Sequence, residues 1–361
     1  MRVALVVHHV RPTGGQDRYA LELARRLAGQ CDLDLVTIRA EGDLPSGARI
    51  RTVSVPDRPL LVTAPLFVRA ARSLLRGERY DVVHTVGGAY PGASVITAQF
   101  CHAAWREVNR SPSLYERLVS RQAIAHEREA YRHPSLRALI AVSQRTADEV
   151  QRHYGPLAVP VTVIPNAVDA TRFAPRPAPR PARGPPPLPP VLLFVGAYAR
   201  KGLDTAIRAL ARLRTPGVRL VAVGDGPRAP YRRLAEELGV TARVRLEPRT
   251  PNVEAWFGQA DAFVFPTRYE PFGMVLVEAM ASGLPVVTSA VAGAAELVRD
   301  GESGRIVPDA EDAGGFAAAL DRILEDPARR AAMGRAARDA VLGLTWDMVA
   351  ERTLAVYRSL A

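Results

Sequence analysis

Lysine is almost absent from this chain: Lys201 is the single lysine among 361 residues, although lysine and arginine together number 48. If arginine serves nearly everywhere else, Lys201 picks out a place where a compact, rotatable ammonium is wanted rather than a planar fork. Cysteine is scarce too. Cys31 and Cys101 have no metal-ligand spacing, which leaves no disulfide framework or zinc site and fits a reducing cytoplasm. No apolar run approaches the roughly 20 residues of a membrane-spanning helix. The opening MRVALVVHHV breaks at two histidines and lacks a signal peptide's cleavage pattern, so it is expected to be a first buried strand. Acidic residues are outnumbered, with a formal net charge of +11 and a pI near 10.3. That excess is open to nucleic acid, an anionic membrane surface or a polyphosphate substrate, and also to a mere compositional bias toward arginine.

With 48% hydrophobic residues the chain can bury two substantial cores. Apolar, β-branched runs alternate with helical patterns: residues 3–7, 33–38, 82–84 and 139–142 as strands, with a helix over 17–28 between the first two. Strand, helix, strand in this order predicts parallel sheets covered on both faces. The tract APRPAPRPARGPPPLPP over 174–190 interrupts the pattern, because proline offers no amide hydrogen to a sheet or helix interior. A second α/β unit restarts at 191. The expected division is 1–165, an N-terminal Rossmann-like domain; 166–190, a hinge and proline-rich linker; 191–344, a C-terminal Rossmann-like domain; and 345–361, a C-terminal helix returning to the first domain. The expected fold is α/β, two doubly wound parallel-sheet domains facing across a cleft, with ligands gathered at the carboxyl ends of strands.

The most informative segment is EPFGMVLVEAMASGLPVV, residues 270–287. A strand over 261–266, a loop to Phe272 and a helix over 273–282 put Glu270 at a strand's carboxyl end and Glu278 one turn inside the helix. The helix start presents the backbone amides of Phe272, Gly273 and Met274, with the positive end of its dipole, to hydroxyls or phosphates. Two carboxylates eight apart around Pro-Phe-Gly resemble the Glu-x7-Glu signature of the retaining glycosyltransferases of family four, which have the GT-B fold. Other segments agree in order: Gly14-Gly15 after the first strand, Ile164 to Asp169 at the domain junction, Arg200-Lys201-Gly202, and Gly224 to Pro227. The resemblance covers nearly the full length, apart from the proline tract.

The resemblance implies a sugar moved from a nucleoside diphosphate (UDP-, GDP- or ADP-sugar) to a hydroxyl of a sugar, glycolipid or small molecule, with no metal and no separate cofactor. The anomeric configuration is retained by front-face attack, in which the departing diphosphate takes the acceptor's proton. It further implies that Gly15 places an amide beside the donor diphosphate and that His102 lies near the anomeric centre. Arg200 and Lys201 then stabilise the leaving group, Glu270 holds sugar hydroxyls and Glu278 holds ribose hydroxyls. Family members often separate the two cations by several residues; here they are adjacent. Arg249, after the strand over 243–247, is a candidate for lining the base pocket. His8, His9, His126, His133 and His153 lack comparable context.

Residues 114–132 place Arg117, Arg121, Arg128 and Arg132 within about a third of a helix circumference. The face fits an anionic lipid or charged acceptor, or equally a solvated surface neutralised by Glu116, Glu127 and Glu129. Among other classes, a nicotinamide dehydrogenase lacks its Gly-x-Gly-x-x-Gly fingerprint here. A pyridoxal-dependent phosphorylase would need a Schiff-base lysine, and Lys201 sits in the phosphate-type loop instead. A nucleic-acid binder has only the pI behind it.

Overall fold

The computed structural model describes residues 1–109, 112–175 and 189–360. Most of the 174–190 proline tract, residues 176–188, therefore lies outside the described residues. Two compact units emerge: Met1–Ala167 together with Trp346–Ala361, and Val168–Thr345.

In chain order the first unit contains β1 (Arg2–Val6), β2 (His9–Val10), α1 (Gly15–Leu27), β3 (Asp32–Thr37), β4 (Arg39–Ala40), β5 (Ala48–Thr52), α2 (Leu60–Leu75), β6 (Val82–Val86), β7 (Val95–Ala98), α3 (His102–Val108), α4 (Leu114–Arg132), β8 (Ala138–Ala141), α5 (Gln144–Tyr154) and β9 (Val161–Val163). Seven strands form one parallel sheet in the order β5-β3-β1-β6-β7-β8-β9, with β2 and β4 pairing separately. The buried stripe of α1 is Tyr19, Leu23 and Leu27 with Ala20, Leu21 and Ala24, the three-to-four spacing of a helix lying on a sheet.

The second unit contains β10 (Val191–Val195), α6 (Leu203–Arg212), β11 (Arg219–Gly224), α7 (Ala229–Glu237), β12 (Val244–Pro248), α8 (Glu254–Phe257), β13 (Ala262–Phe265), α9 (Met274–Ala281), β14 (Val286–Ser289), β15 (Gly304–Val307), α10 (Ala313–Leu324) and α11 (Pro327–Asp339). Its sheet is also parallel, in the order β12-β11-β10-β13-β14-β15. Strand order reverses at β10, whose neighbours are β11 and β13, so the loops leaving β10 and β13 share the position where open α/β sheets collect ligands. The final helix, α12 (Trp346–Arg358), belongs to the first unit. Its Tyr357 hydroxyl bonds Nδ1 of the buried His84 on β6, while His84 Nε2 meets Thr97 Oγ1 at 2.8 Å.

Two expectations change. The run SVITAQF over 94–100 predicts a strand ending beside His102, but β7 stops at Ala98 and His102 opens α3. In the solvated-surface alternative for residues 114–132, Glu116 and Glu127 are neutralising charges on that face. Glu116 instead closes a capping box at the start of α4, its carboxylate accepting from Ser113 N at 2.7 Å, and Glu127 is buried.

Candidate active site

In the second unit the site is built by two laced loops. Gly202, at φ 75°, caps α6, and a side chain there would collide with the Pro266 carbonyl after β13. Arg268 N donates to Arg200 O at 3.0 Å, and the Arg268 guanidinium reaches back to Asp204 at 2.7 Å. The 200–202 turn is thereby fastened to the 266–270 loop. That loop is pinned from its other side: Gly293 N donates to Glu270 O at 2.9 Å and Ala294 N to Phe272 O at 2.7 Å. The backbone of Glu270 is thus fixed before its side chain makes any contact.

Arg200 Nη1 lies 3.2 Å from Glu270 Oε2 and 3.0 Å from the Tyr269 carbonyl. Lys201 Nζ lies 3.6 Å from the same carboxylate oxygen and 5.1 Å from the centre of the Phe265 ring. Lys201 is only 8% exposed. Burial pushes its pKa down, against the pull of Glu270 and Glu278. The lysine stem runs over Gly196, whose φ of 128° and missing side chain make room for it: a Cβ there would fall on Lys201 Cδ. Hence the loop after β10 needs a glycine at 196 and an unbranched cation at 201.

The helix α9 begins at Met274 with Gly273 as its N-cap, at φ 104° and with no side chain capping it. A Cβ on Gly273 would stand 3.2 Å from Glu270 Cγ. Phe272 is buried, and Glu278 is the one carboxylate in an otherwise apolar buried run from Leu276 to Ala281, itself 5% exposed. Arg200, Lys201, Glu270, Phe272, Gly273, Met274 and Glu278 are therefore brought together. Arg249 is more exposed, just past β12, with Nη1 3.8 Å from Asp225 Oδ2 in the loop after β11.

In the first unit, Gly15 is the first residue of α1, after Gly14 at φ 87°, and no side chain caps that helix either. Gln16 Nε2 fastens the helix start to Val86 O at 3.0 Å, just at the end of β6. His102 is held by Glu127: Nδ1 lies 2.7 Å from Oε1, and the His102 backbone amide donates to Oε2 at 3.0 Å. The Tyr154 hydroxyl bonds the same Oε2. Sequence reasoning missed Glu127 and Tyr154. One signal was present: Ile124, Glu127, Ala130 and Tyr131 share a three-to-four spacing, so Glu127 interrupts the apolar stripe of α4. Among the described residues no group of three or more His, Cys, Asp or Glu side chains is placed to hold a metal ion.

Two parallel-sheet α/β units are the layout of the GT-B fold, and the cation pair and two carboxylates lie at the switch point of the second. Two comparisons of structure agree on the fold. WaaG, a glycosyltransferase involved in lipopolysaccharide biosynthesis, superposes with a TM-score of 0.81 at 24% identity over 98% of this chain and 99% of that one. Sucrose-phosphate synthase from Thermosynechococcus elongatus gives 0.80 at 24% identity over 100% and 99%. The glycosyltransferase family 4 model matches residues 13–172, and the model of glycosyl transferases group 1 matches residues 176–340. The chain is 32% identical to a D-inositol 3-phosphate glycosyltransferase of Kribbella flavida over 99% of its length and 95% of that protein's. It is 35% identical to a glycogen synthase of Mycobacterium tuberculosis over 78% and 69%. The chain belongs to glycosyltransferase family 4.

Proposed function

We propose that this glycosyltransferase takes a sugar from a nucleoside-diphosphate donor, retains its anomeric configuration and works without a metal ion. The observation that carries this is the meeting of Arg200 and Lys201 at one oxygen of Glu270, beside the uncapped start of α9. A diphosphate gains negative charge as the anomeric C–O bond breaks, and preset cations and helix amides stabilise that charge without reorganising. Glu270 accepts hydrogen bonds from the donor sugar's hydroxyls, and the buried Glu278 accepts them from the ribose. Arg249 lines the base. In the first unit the same reading gives Gly15 an amide contact to the diphosphate and His102 a contact at the reacting sugar. The acceptor oxygen attacks the face the diphosphate leaves, the new C–O bond forms as the old one breaks, and the acceptor proton passes to a diphosphate oxygen.

The acceptor is a hydroxyl of a sugar, glycolipid or small molecule, in a cytoplasmic step of cell-envelope polysaccharide or glycoconjugate synthesis. The test is incubation with UDP-, GDP- and ADP-sugars in turn, following nucleotide release and the product's anomeric configuration by NMR. Release from one donor with retained configuration is expected. An inverted product, or no release from any of the three, overturns the proposal.

A peripheral contact with anionic membrane is favoured by a separate observation. Of nine exposed large hydrophobic residues among the described ones, six lie on α2 and the first turns of α4: Leu60, Val62, Leu66, Leu114, Tyr115 and Leu118. The two helix starts are joined by Leu60 N and the Tyr115 hydroxyl at 3.2 Å. At 100° per residue, Leu114 and Leu118 share a face with Arg117, Arg121, Arg128 and Arg132. Apolar tips beside a row of arginines suit lipid tails and phosphate headgroups respectively.

A further inference from the structure

Glu127 is 2% exposed, yet it faces three donors drawn from two other helices. Its Oε2 accepts the backbone N–H of His102, at the start of α3, and the hydroxyl of Tyr154, at the end of α5. Its Oε1 is 2.7 Å from His102 Nδ1. Burial and the Glu127 charge push the Tyr154 pKa up, so its hydroxyl keeps its proton and donates. Burial likewise holds the neighbouring Cys101 thiol neutral, its pKa pushed up to about 12, so it adds no second negative charge to the pocket.

An ionised carboxylate only accepts hydrogen bonds, so Glu127 has no hydrogen to offer the ring from Oε1. The hydrogen between Glu127 and His102 therefore sits on Nδ1, and the free lone pair of the neutral ring falls on Nε2. The ring cannot turn over without breaking the Nδ1 bond, and Phe100 packs against it with centroids 4.8 Å apart. The His102 side chain remains 35% exposed, so the ring is anchored at one nitrogen while part of it stays open to solvent.

We propose that Glu127, backed by Tyr154, is a positioning residue that fixes the orientation and tautomer of His102, presenting Nε2 as a hydrogen-bond acceptor for a substrate hydroxyl. The proposal builds on the contact assigned to His102 above. It assigns Glu127 no contact with substrate: its effect passes through the imidazole, in the way a carboxylate behind a histidine sets which nitrogen is available.

The experiment uses the full chain labelled with 15N-histidine, with the His102 signals assigned by their loss in His102→Asn. In mildly alkaline buffer the wild type is expected to show a protonated, pyrrole-type Nδ1 and a pyridine-type Nε2. Glu127→Gln can turn an amide N–H toward the ring, so its spectrum should shift toward the opposite tautomer. Its kcat should fall by roughly tenfold to a hundredfold while KM for the donor stays within about threefold. Tyr154→Phe should keep the tautomer with a smaller loss of rate, and serves if Glu127→Gln folds poorly. An Nε2-protonated ring in the wild type, or a Glu127→Gln ring with unchanged tautomer and rate, overturns the proposal. If the tautomer follows Glu127 as stated but His102→Ala transfers sugar at the normal rate, the assignment of His102 fails instead, and with it any catalytic consequence of Glu127.

Discussion

Lys201 Nζ stands 3.6 Å from Glu270 Oε2, although the two residues come from loops after different strands, β10 and β13. The contact joins the one lysine of the chain to the first carboxylate of the segment that identified the family. Arg200 reaches the same oxygen, so Glu270 is flanked by two cations at one side of its carboxylate.

Replacing Lys201 or Glu278 by alanine should weaken nucleoside-diphosphate binding by about 1.5–3 kcal/mol each, the size of a lost charged hydrogen bond. Isothermal titration calorimetry measures it directly, and unchanged affinity in both variants would remove the donor-site assignment. Lys201→Arg should also be impaired, since a guanidinium is bulkier than the ammonium whose stem packs on Gly196. Full activity there would make the unique lysine an accident of composition.

Sugar transfer should survive EDTA, because Arg200, Lys201 and the start of α9 are assigned the diphosphate charge. Initial rates with and without chelator decide it. A rate abolished by EDTA and restored by magnesium or manganese contradicts the assignment.

Stability should fall on mild acidification. Burial pushes His84 down to about 3 and His8 down to about 4, from an unfolded value of 6.5. Below pH 6.5 the unfolded chain takes up protons that these two rings refuse while folded, so stability present above 6.5 is lost progressively toward their folded values. The limiting slope is about 1.4 kcal/mol per pH unit for each histidine. Differential scanning calorimetry from pH 7.5 to 4.5 should show a falling Tm, shallower in His84→Gln. Equal slopes in the two proteins would show that His84 is not the proton-linked group.

Vesicle flotation tests the peripheral contact. Vesicles containing anionic phospholipid should carry the protein up, and zwitterionic vesicles should not. Arg117→Glu with Arg121→Glu should abolish flotation, at roughly 1 kcal/mol per basic residue near the surface. Leu114→Asp with Leu118→Asp should weaken it at constant charge on the arginines. Flotation that ignores both pairs, or none with the wild type, removes the membrane from the picture.

Much of this molecule was legible along the chain because parallel strands buried on both faces write themselves as unbroken apolar runs; RLVAVG over 219–224 is a strand to the residue. The Glu270 to Glu278 segment was legible for a related reason, since loop, glycine cap and helix follow one another within a few residues. What stayed hidden was pairing across the sheet. The apolar stripe of α4 marks Glu127 as turned inward, but nothing along the chain names its partner, His102, 25 positions earlier. His84 and Tyr357 are separated by 273 positions, and no local pattern links them.

That last pair sets an order on biosynthesis. Trp346 packs edge-on to Tyr19 at 6.0 Å, Asp347 bonds Arg26 at 2.6 Å, and Arg352 reaches Val163 O at 2.9 Å, so α12 closes a unit whose other residues all precede 168. As the chain leaves the ribosome, the segment made first must wait with Tyr19 and His84 uncovered while the whole of the second unit is synthesised and folds as a contiguous piece. The unit that starts folding first is thus the last to finish, since its closing helix follows the whole of the second unit along the chain.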